Sequence, residues 1–487
     1  MQSQVQLTRN RAATFLIGAV VVGLVLLIAL IVLPAPWSHS QSLRRSWQQV
    51  SLSDFIAPAV RLSEVQLIDS TTAWLVGYEN VGQSSAREGR LYKLKWQNGK
   101  WSLSEQYNLP QVINYLNVAS DGSIRIIATG KFEGSCCTTY DQILRKDATG
   151  WQAETEKFRK VFLNSIEMLP GGQEGWAGGG IEVDSCKFTC SESYLLHYTH
   201  GAWITDTTPS LNGRSIVSMD FAGEAEHPVG YAVGEYISRY DGQNWTRVTL
   251  PKLPPTPTAP PGQEPCPGLY FNCLSFSKVR TLKPDDVWVL GSSYSTLSTR
   301  DSESVLLHLT GGQWQVVMPG NTILKDRPAG TQPMLVSDFS FGSDGYGFLS
   351  AYPFELAGNR AYSQIIQVRP DGSLYYEQIA QIEHMILRSI SNKDVDHALA
   401  VGEQSIQVPT ERGIENRLTA MLFSYGYEDD NRTRIPAPSA TPKPPRAPTE
   451  DKRYSDGYYF PGVGHNVRGR FLTYWQQHGG WLSLATR

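Results

Sequence analysis

Seven near-copies of one short run divide this chain, and their recurrence constrains its fold more than any other feature. An aromatic or aliphatic residue followed three positions later by Gly appears at Trp74-Leu-Val-Gly77, Ile127-Ala-Thr-Gly130, Trp176-Ala-Gly-Gly179, Tyr231-Ala-Val-Gly234 and Trp288-Val-Leu-Gly291. Degenerate copies follow at Tyr346-Gly-Phe-Leu349 and Leu399-Ala-Val-Gly402. The fourth positions lie 53, 49, 55, 57, 58 and 53 residues apart, a spacing that chance does not maintain. A fixed period of this size marks repeat architecture.

Each copy is preceded by an alternating strand: Val65 to Ile68, Tyr115 to Val118, Ser165 to Met168, Ile216 to Phe221, Leu274 to Phe276, Val336 to Phe341 and Ile386 to Ile390. Each is followed by another apolar run ending in a tight turn, often with Trp beyond it, as in Leu195-Leu-His-Tyr198 then Gly201 and Trp203. A fourth short strand starts at that Trp, as in Trp245-Thr-Arg-Val248 and Trp314-Gln-Val-Val317. Four short strands repeated seven times around a circle make an all-β, seven-bladed β-propeller, spanning about 46–433. The 43 Gly and 29 Pro fit the many turns such a fold needs. The recurring Trp fills space between blades. The seventh repeat lacks its fourth-strand Trp, and Trp47-Gln-Gln-Val50-Ser-Leu52 imitates Trp314-Gln-Val-Val317. Residues 47–52 are therefore expected to close the last blade and cover an otherwise open edge.

Ahead of the repeats, Ala12 to Leu33 is an uncharged apolar run of 22 residues, which as a helix spans about 33 Å, enough for a hydrocarbon core. It outlasts the apolar region of a cleaved signal and ends in Pro34-Ala-Pro-Trp37, so it reads as an uncleaved transmembrane anchor behind a cytoplasmic tail of residues 1–11. Arg9 and Arg11 before it and Arg44 and Arg45 after it leave the orientation open. The cysteines decide. Cys136 with Cys137, Cys186 with Cys190 and Cys266 with Cys273 form close pairs in loop-like stretches, which read as disulfide candidates and place the propeller outside the cytoplasm, on the cell membrane. Cys136 and Cys137 are the weakest pair, because a bond between neighbours is strained. No zinc-type spacing with His partners accompanies them, so no metal is expected.

Naming the strands A to D, the A–B and C–D turns are mostly tight, and the long inserts fall between B and C or between D and A. They cover 78–90, 131–140, 180–193, 251–273, 292–304, 350–362 and 403–418. These connections emerge on one face of an up-and-down blade, and all six cysteines lie in them. That face is the expected binding site, for a protein or a glycan. If Trp47 begins a D strand, the short tether from Ser38 reaches the opposite face. With 43 basic against 46 acidic residues there is no surplus to neutralise phosphates, so no nucleic-acid partner is expected.

Catalytic motifs are absent: no phosphate-binding Gly-rich loop, no Gly-x-Ser-x-Gly elbow and no His-Glu-x-x-His. Asp241-Gly-Gln-Asn-Trp245 is a loose Asp-box, a structural turn. His197 and His308 occupy equivalent C-strand positions and read as repeat residues; His465 reads as a turn residue. No catalytic residue and no cofactor is expected. A glycoside hydrolase or lyase acting on surface carbohydrate is the alternative, and it requires clustered Arg, acids and Tyr around the central channel. Asn244-Trp-Thr246 and Asn431-Arg-Thr433 are glycosylation sequons, meaningful only in a glycosylating host.

Beyond the repeats, 434–453 is a Pro-rich linker and 454–487 a small element holding Phe471, Leu472, Tyr474 and Trp475. Two resemblances follow from quoted runs. Asp286-Val-Trp-Val-Leu-Gly291 leading to Leu306-Leu-His-Leu-Thr-Gly-Gly-Gln-Trp314 resembles propellers of the photosystem II assembly factor, sortilin and sialidase-like (Asp-box) type over about 46–430, which implies an assembly or scaffold role. Gly464-His465 with Phe471-Leu-Thr-Tyr-Trp475 and Gly479-Gly480 resembles a repeat of bacterial cell-surface proteins. Copies of that repeat continue into Phe-Gly-x-Pro, whereas this sequence ends Trp481-Leu-Ser-Leu-Ala-Thr-Arg487, so the unit reads as truncated.

Overall fold

The computed structural model describes residues 46–427, apart from 82–85, 133–138, 184–189, 207–214, 224–226, 251–272, 295–302, 319–333, 354–362, 378, 380, 381, 383, 411 and 412. The apolar run 12–33, the linker and the C-terminal element lie outside the described residues. Among the described residues no helix is long and apolar enough to cross a membrane.

Seven four-stranded antiparallel sheets follow one another. Blade 1 is β2 (Val60–Asp69), β3 (Thr72–Val81), β4 (Ala86–Gln97) and β5 (Lys100–Leu109); blade 2 is β6 (Val112–Val118), β7 (Ile124–Lys131), β8 (Thr139–Asp147) and β9 (Gly150–Ala153). Blade 3 is β10 (Val161–Met168), β11 (Gly175–Val183), β12 (Cys190–Thr199) and β13 (Ala202–Asp206); blade 4 is β14 (Ser218–Ala222), β15 (Val229–Val233), β16 (Ile237–Tyr240) and β17 (Trp245–Arg247). Blade 5 is β18 (Cys273–Lys283), β19 (Asp286–Tyr294), β20 (Glu303–Thr310) and β21 (Gln313–Met318); blade 6 is β22 (Met334–Phe341), β23 (Gly347–Pro353), β24 (Gln364–Val368) and β25 (Leu374–Glu377). Blade 7 is β26 (Met385–Asp394), β27 (His397–Thr410) and β28 (Gly413–Tyr425), completed by β1 (Gln48–Val50). The first strands touch their successors around a ring, and β26 meets β2, so the propeller is closed.

Closure is made by the N-terminal strand. Gln48, Gln49 and Val50 pair with Ser424, Phe423 and Leu422 on the outer edge of β28. Trp47, 5% exposed, packs its ring against Phe348 of blade 6 (centroids 5.5 Å) and Tyr425 (5.4 Å). Trp245 repeats the second contact on Tyr240 at 5.2 Å, which shows that Trp47 stands at a repeat position. The core lies between blades rather than within them. Trp288, Leu290 and Met318 of blade 5 share one cluster with Val336, Phe339 and Ile366 of blade 6, and Trp74, Val76 and Leu91 of blade 1 share another with Leu116 and Ile126 of blade 2. Each sheet is apolar on both faces because each face meets a neighbour.

The strand register corrects two of the seven repeat phases. The residues opposite the same inner-strand position are Trp74, Arg125, Trp176, Tyr231, Trp288, Phe348 and Leu399. The copies in blades 2 and 6 are thus Arg125-Ile-Ile-Ala128 and Phe348-Leu-Ser-Ala351, each shifted by two residues from the runs at Ile127 and Tyr346. The fourth position needs a small residue because the inner strand's backbone crosses it: a Cβ on Gly77 would stand 2.5 Å from the Arg61 carbonyl oxygen, and one on Gly179 would collide with that of Phe162. Blades 2 and 6 carry the fully buried Ala128 and Ala351 there instead, so a search for Gly slides off register. Arg125 in turn replaces the aromatic: its guanidinium pairs with Glu154 at 2.8 Å and lies 4.7 Å over the Tyr198 ring.

Candidate functional site: the polar channel

The inner strand of every blade is an edge strand whose inward N–H groups have no ladder partner, and unmet backbone donors are costly when buried. The repeat answers with side chains. Six inner strands carry a register shift at one equivalent place, bulging Ser63, Asn114, Asn164, Ser277, Ser337 and Arg388. The next residue, and the one two further on, form two stacked rings around the axis. In the first ring Ser165 accepts from the Met219 N–H (3.0 Å), Ser218 from Val279 (3.3 Å), Asp338 from Ile390 (3.0 Å) and Ser389 from Val65 (3.3 Å). In the second, Asp220 accepts from Thr281, Ser340 from Asn392 (3.0 Å) and Ser391 from Leu67 (2.9 Å). Blades 3, 4, 6 and 7 thereby cap the inner edge of the blade that follows each.

Against that pattern, blades 1, 2, 3 and 5 carry other chemistry. Glu64, Tyr115 and Lys278 stand in the first ring; Gln66, Asn117, Glu167 and Arg280 stand in the second. Lys278 pairs with Asp338, and Arg280 with Asp220 at 3.3 Å. Arg280 keeps 46% of its side-chain surface although the blades surround it, so the channel admits solvent. Four carboxyls thus face two cations.

The surplus shows in their acidities. Burial pushes Glu64 up to about 8, with Asp338 adding to the effect and Lys278 opposing it. Burial pushes Glu167 up to about 8 as well, with Asp220 adding and Arg280 opposing. Asp220 is raised too, chiefly by burial, while the Asp220 charge holds Arg280 above its usual value. Burial and the acids Glu167, Glu64 and Asp220 push the Tyr115 hydroxyl well above the phenol range. These mutual influences place the seven groups within one electrostatic neighbourhood.

The insert stretches behave differently from one another. Residues 78–81, 86–90 and 403–418 are mostly ladder rather than loop: the β27–β28 pairing runs from Ala398↔Tyr425 to Thr410↔Gly413, sustained by the alternation of Ile406 and Val408 with polar neighbours. Much of 131–140, 180–193, 251–273, 292–304 and 350–362 lies outside the described residues. So do Cys136, Cys137, Cys186 and Cys266, together with the side chains of Cys190 and Cys273. Where blades 1, 6 and 7 meet, Arg388 pairs with Glu403 and feels Tyr78 and Tyr352, and the Tyr78 ring carries Arg87 at 4.9 Å.

His197 and His308 are repeat residues. Each stacks on the Trp of its blade, Trp176 or Trp288, and bonds the acid two residues before that Trp, Glu174 at 2.8 Å or Asp286 at 2.9 Å. Asp241 folds its turn by accepting from the Gln243 and Asn244 N–H groups, which holds its carboxyl below the usual range. Among the described residues no group of three or more His, Cys, Asp or Glu is placed to hold a metal. The two rings were missed in the sequence, although a signal existed: Glu64, Tyr115, Lys278, Asp338 and Ser389 all stand ten residues before the residue that opens their β-strand motif.

No family model matches the chain, and no curated protein matches it. Solved structures do. The β-propeller domain of the Trilobed protease from Pyrococcus furiosus, described as having an open velcro topology, is similar at 10% identity and a TM-score of 0.41, over 78% of this chain and 99% of that one. An acylaminoacyl peptidase from Pyrococcus horikoshii is similar at 10% identity and a TM-score of 0.41, over 74% of this chain, which spans about half (51%) of that peptidase. At that distance neither likeness bears on activity.

Proposed function

We propose that this chain is a membrane-anchored, extracytoplasmic propeller that serves as a binding or assembly module for a protein or glycan partner met on the insert-bearing face. An assembly role of the kind implied by the resemblance to photosystem II assembly factor propellers is one version of it. The observation that supports the reading is the unequal dressing of the two ends. At one end strands are joined by minimal turns such as 70–71, 284–285 and 311–312. At the other the β27–β28 hairpin extends well past Gly402, to Thr410↔Gly413, and the β3–β4 ladder runs on from Gly77 to Val81↔Ala86. A rigid ring with variable loops on one end suits recognition.

The channel speaks against the hydrolase alternative. A tyrosine nucleophile needs its hydroxyl activated, yet the neighbours of Tyr115 hold its proton on more firmly. Arg280 is the one arginine in the two rings and is already engaged by Asp220.

The test uses the full chain in detergent beside a variant in which residues 404–419 are replaced by a two-residue turn. A glycan array and affinity capture from envelope extracts are expected to return a ligand for the parent and to lose it with the trimmed hairpin, at unchanged melting temperature. Equal capture by both chains overturns the role of this face. Extraction by alkaline carbonate, compared with and without residues 12–33, tests the anchor separately.

A further inference from the structure

We propose that the channel binds a small organic cation, an alkylammonium or guanidinium, between Glu64 of blade 1 and Glu167 of blade 3. The site is independent of any partner on the insert-bearing face.

Both cations of the rings are already committed, Lys278 to Asp338 and Arg280 to Asp220. Among the described residues Glu64 and Glu167 make no ion pair. The Leu116 N–H and the Asn117 amide, respectively, reach their carboxyls. Between them, on β6, sits Asn117, only 2% exposed. Its amide faces Glu167, and its Oδ1 is buried with no hydrogen-bond partner. Gln66, at the same ring level on β2, has a buried Oε1 in the same condition. Both orphan atoms in this stretch of wall are acceptors, and each is open to a donor brought by a ligand.

Charge narrows the choice. With all four carboxyls ionised the two cations leave the wall negative, which repels an anion. A neutral polyol brings as many acceptors as donors and leaves the charge unmatched. Water satisfies the amide oxygens, but the two glutamates must then keep protons, which is what their upward shift to about 8 expresses. A compact organic cation supplies donors and charge together through charge-assisted hydrogen bonds. Because it replaces bound protons, its uptake at pH 7 must release them. The charged and titratable groups around the pair are Lys278, Asp338 and Tyr115 at Glu64, and Asp220, Arg280 and Tyr115 at Glu167.

Calorimetry on the full chain at pH 7 tests this with 1,4-diaminobutane against the neutral 1,4-butanediol, in two buffers of different ionisation enthalpy. The diamine is expected to give a saturable heat with a buffer-dependent part that reports proton release, and the diol none. Glu64→Gln and Glu167→Gln are each expected to weaken the diamine about tenfold. Asp371→Asn, on an exposed turn, is expected to leave it unchanged. Equal heats for diamine and diol overturn the proposal, as does diamine binding that survives both glutamine variants. Where a variant fails to fold, the proton count on the unaltered chain still decides: binding without proton release overturns it.

Discussion

Blades 6 and 7 present Asp338, Ser340, Ser389 and Ser391 to the axis, whereas blades 1, 2 and 5 present Glu64, Gln66, Tyr115, Asn117, Lys278 and Arg280 at the same repeat positions. On the first wall all four side chains reach a backbone N–H of the following blade. On the second wall Glu64 alone is seen to do so, toward Leu116, while Lys278, Arg280 and Asn117 meet the side chains of Asp338, Asp220 and Glu167. A repeat position that elsewhere holds the ring together has here been released from that duty. The contrast separates residues that serve the scaffold from residues available for binding, a distinction that burial alone does not draw.

The contrast can be broken most directly at Asp338, which caps the Ile390 N–H and also holds Lys278. Asp338→Ala is expected to cost about 2–3 kcal/mol in urea unfolding, less than a fully dry broken pair because Lys278 keeps 35% of its side chain exposed. Ser391→Ala, which strips the cap from the Leu67 N–H at the seam between blades 7 and 1, is expected to cost about 1–2 kcal/mol by the same measurement. Glu64→Gln and Glu167→Gln, by contrast, are expected to raise stability at pH 7, since the folded parent must keep protons on carboxyls that the unfolded chain has already released. If these variants destabilise as much as Asp338→Ala, the second wall is scaffold as well.

The same cause gives stability a slope with pH. Both glutamates bind protons more tightly folded than unfolded, so the unfolded chain ionises first. Their contribution to stability is complete below about pH 4.5, falls as pH rises, and levels off above about pH 8. Melting temperatures recorded across that window should decline less steeply in the Glu64→Gln, Glu167→Gln double variant than in the parent. Identical slopes would remove these two groups from the account.

How far the sequence discloses this molecule depends on which force shaped each position. The blade count was legible because every blade must place an apolar strand against its neighbour and a small residue under the inner strand. Trp74, Trp176 and Trp288 with Gly77, Gly179 and Gly291 therefore recur visibly. The phase was lost in blades 2 and 6, where Ala128 and Ala351 stand in place of Gly and Arg125 takes the place of an aromatic by pairing with Glu154. The closing strand could be anticipated from Trp47, since a missing Trp at one end of the sequence matched a spare one at the other. The rings could not be anticipated in the same way. Their residues differ in size, charge and polarity from blade to blade, because their common task is only to offer an acceptor or to face water. A bulge that shifts register by one residue also hides them from any reading by strict alternation.

The closing strand has a consequence for how the molecule is made. Gln49 lies 372 residues from Met421, its neighbour across the seam. At about 5–20 residues per second, the strand that leaves the ribosome first waits roughly 20 to 75 s for the edge it must cover. During that interval six blades can stack in order of synthesis, each on the one before, while Gln48 to Val50 have no edge to pair with and Trp47 lacks the Tyr425 side of its pocket. The last blade is then completed by the oldest part of the propeller, so a chain interrupted anywhere before residue 420 leaves both an unclosed ring and an unsheltered edge. Completion of the ring thus acts as a check on the length of the chain.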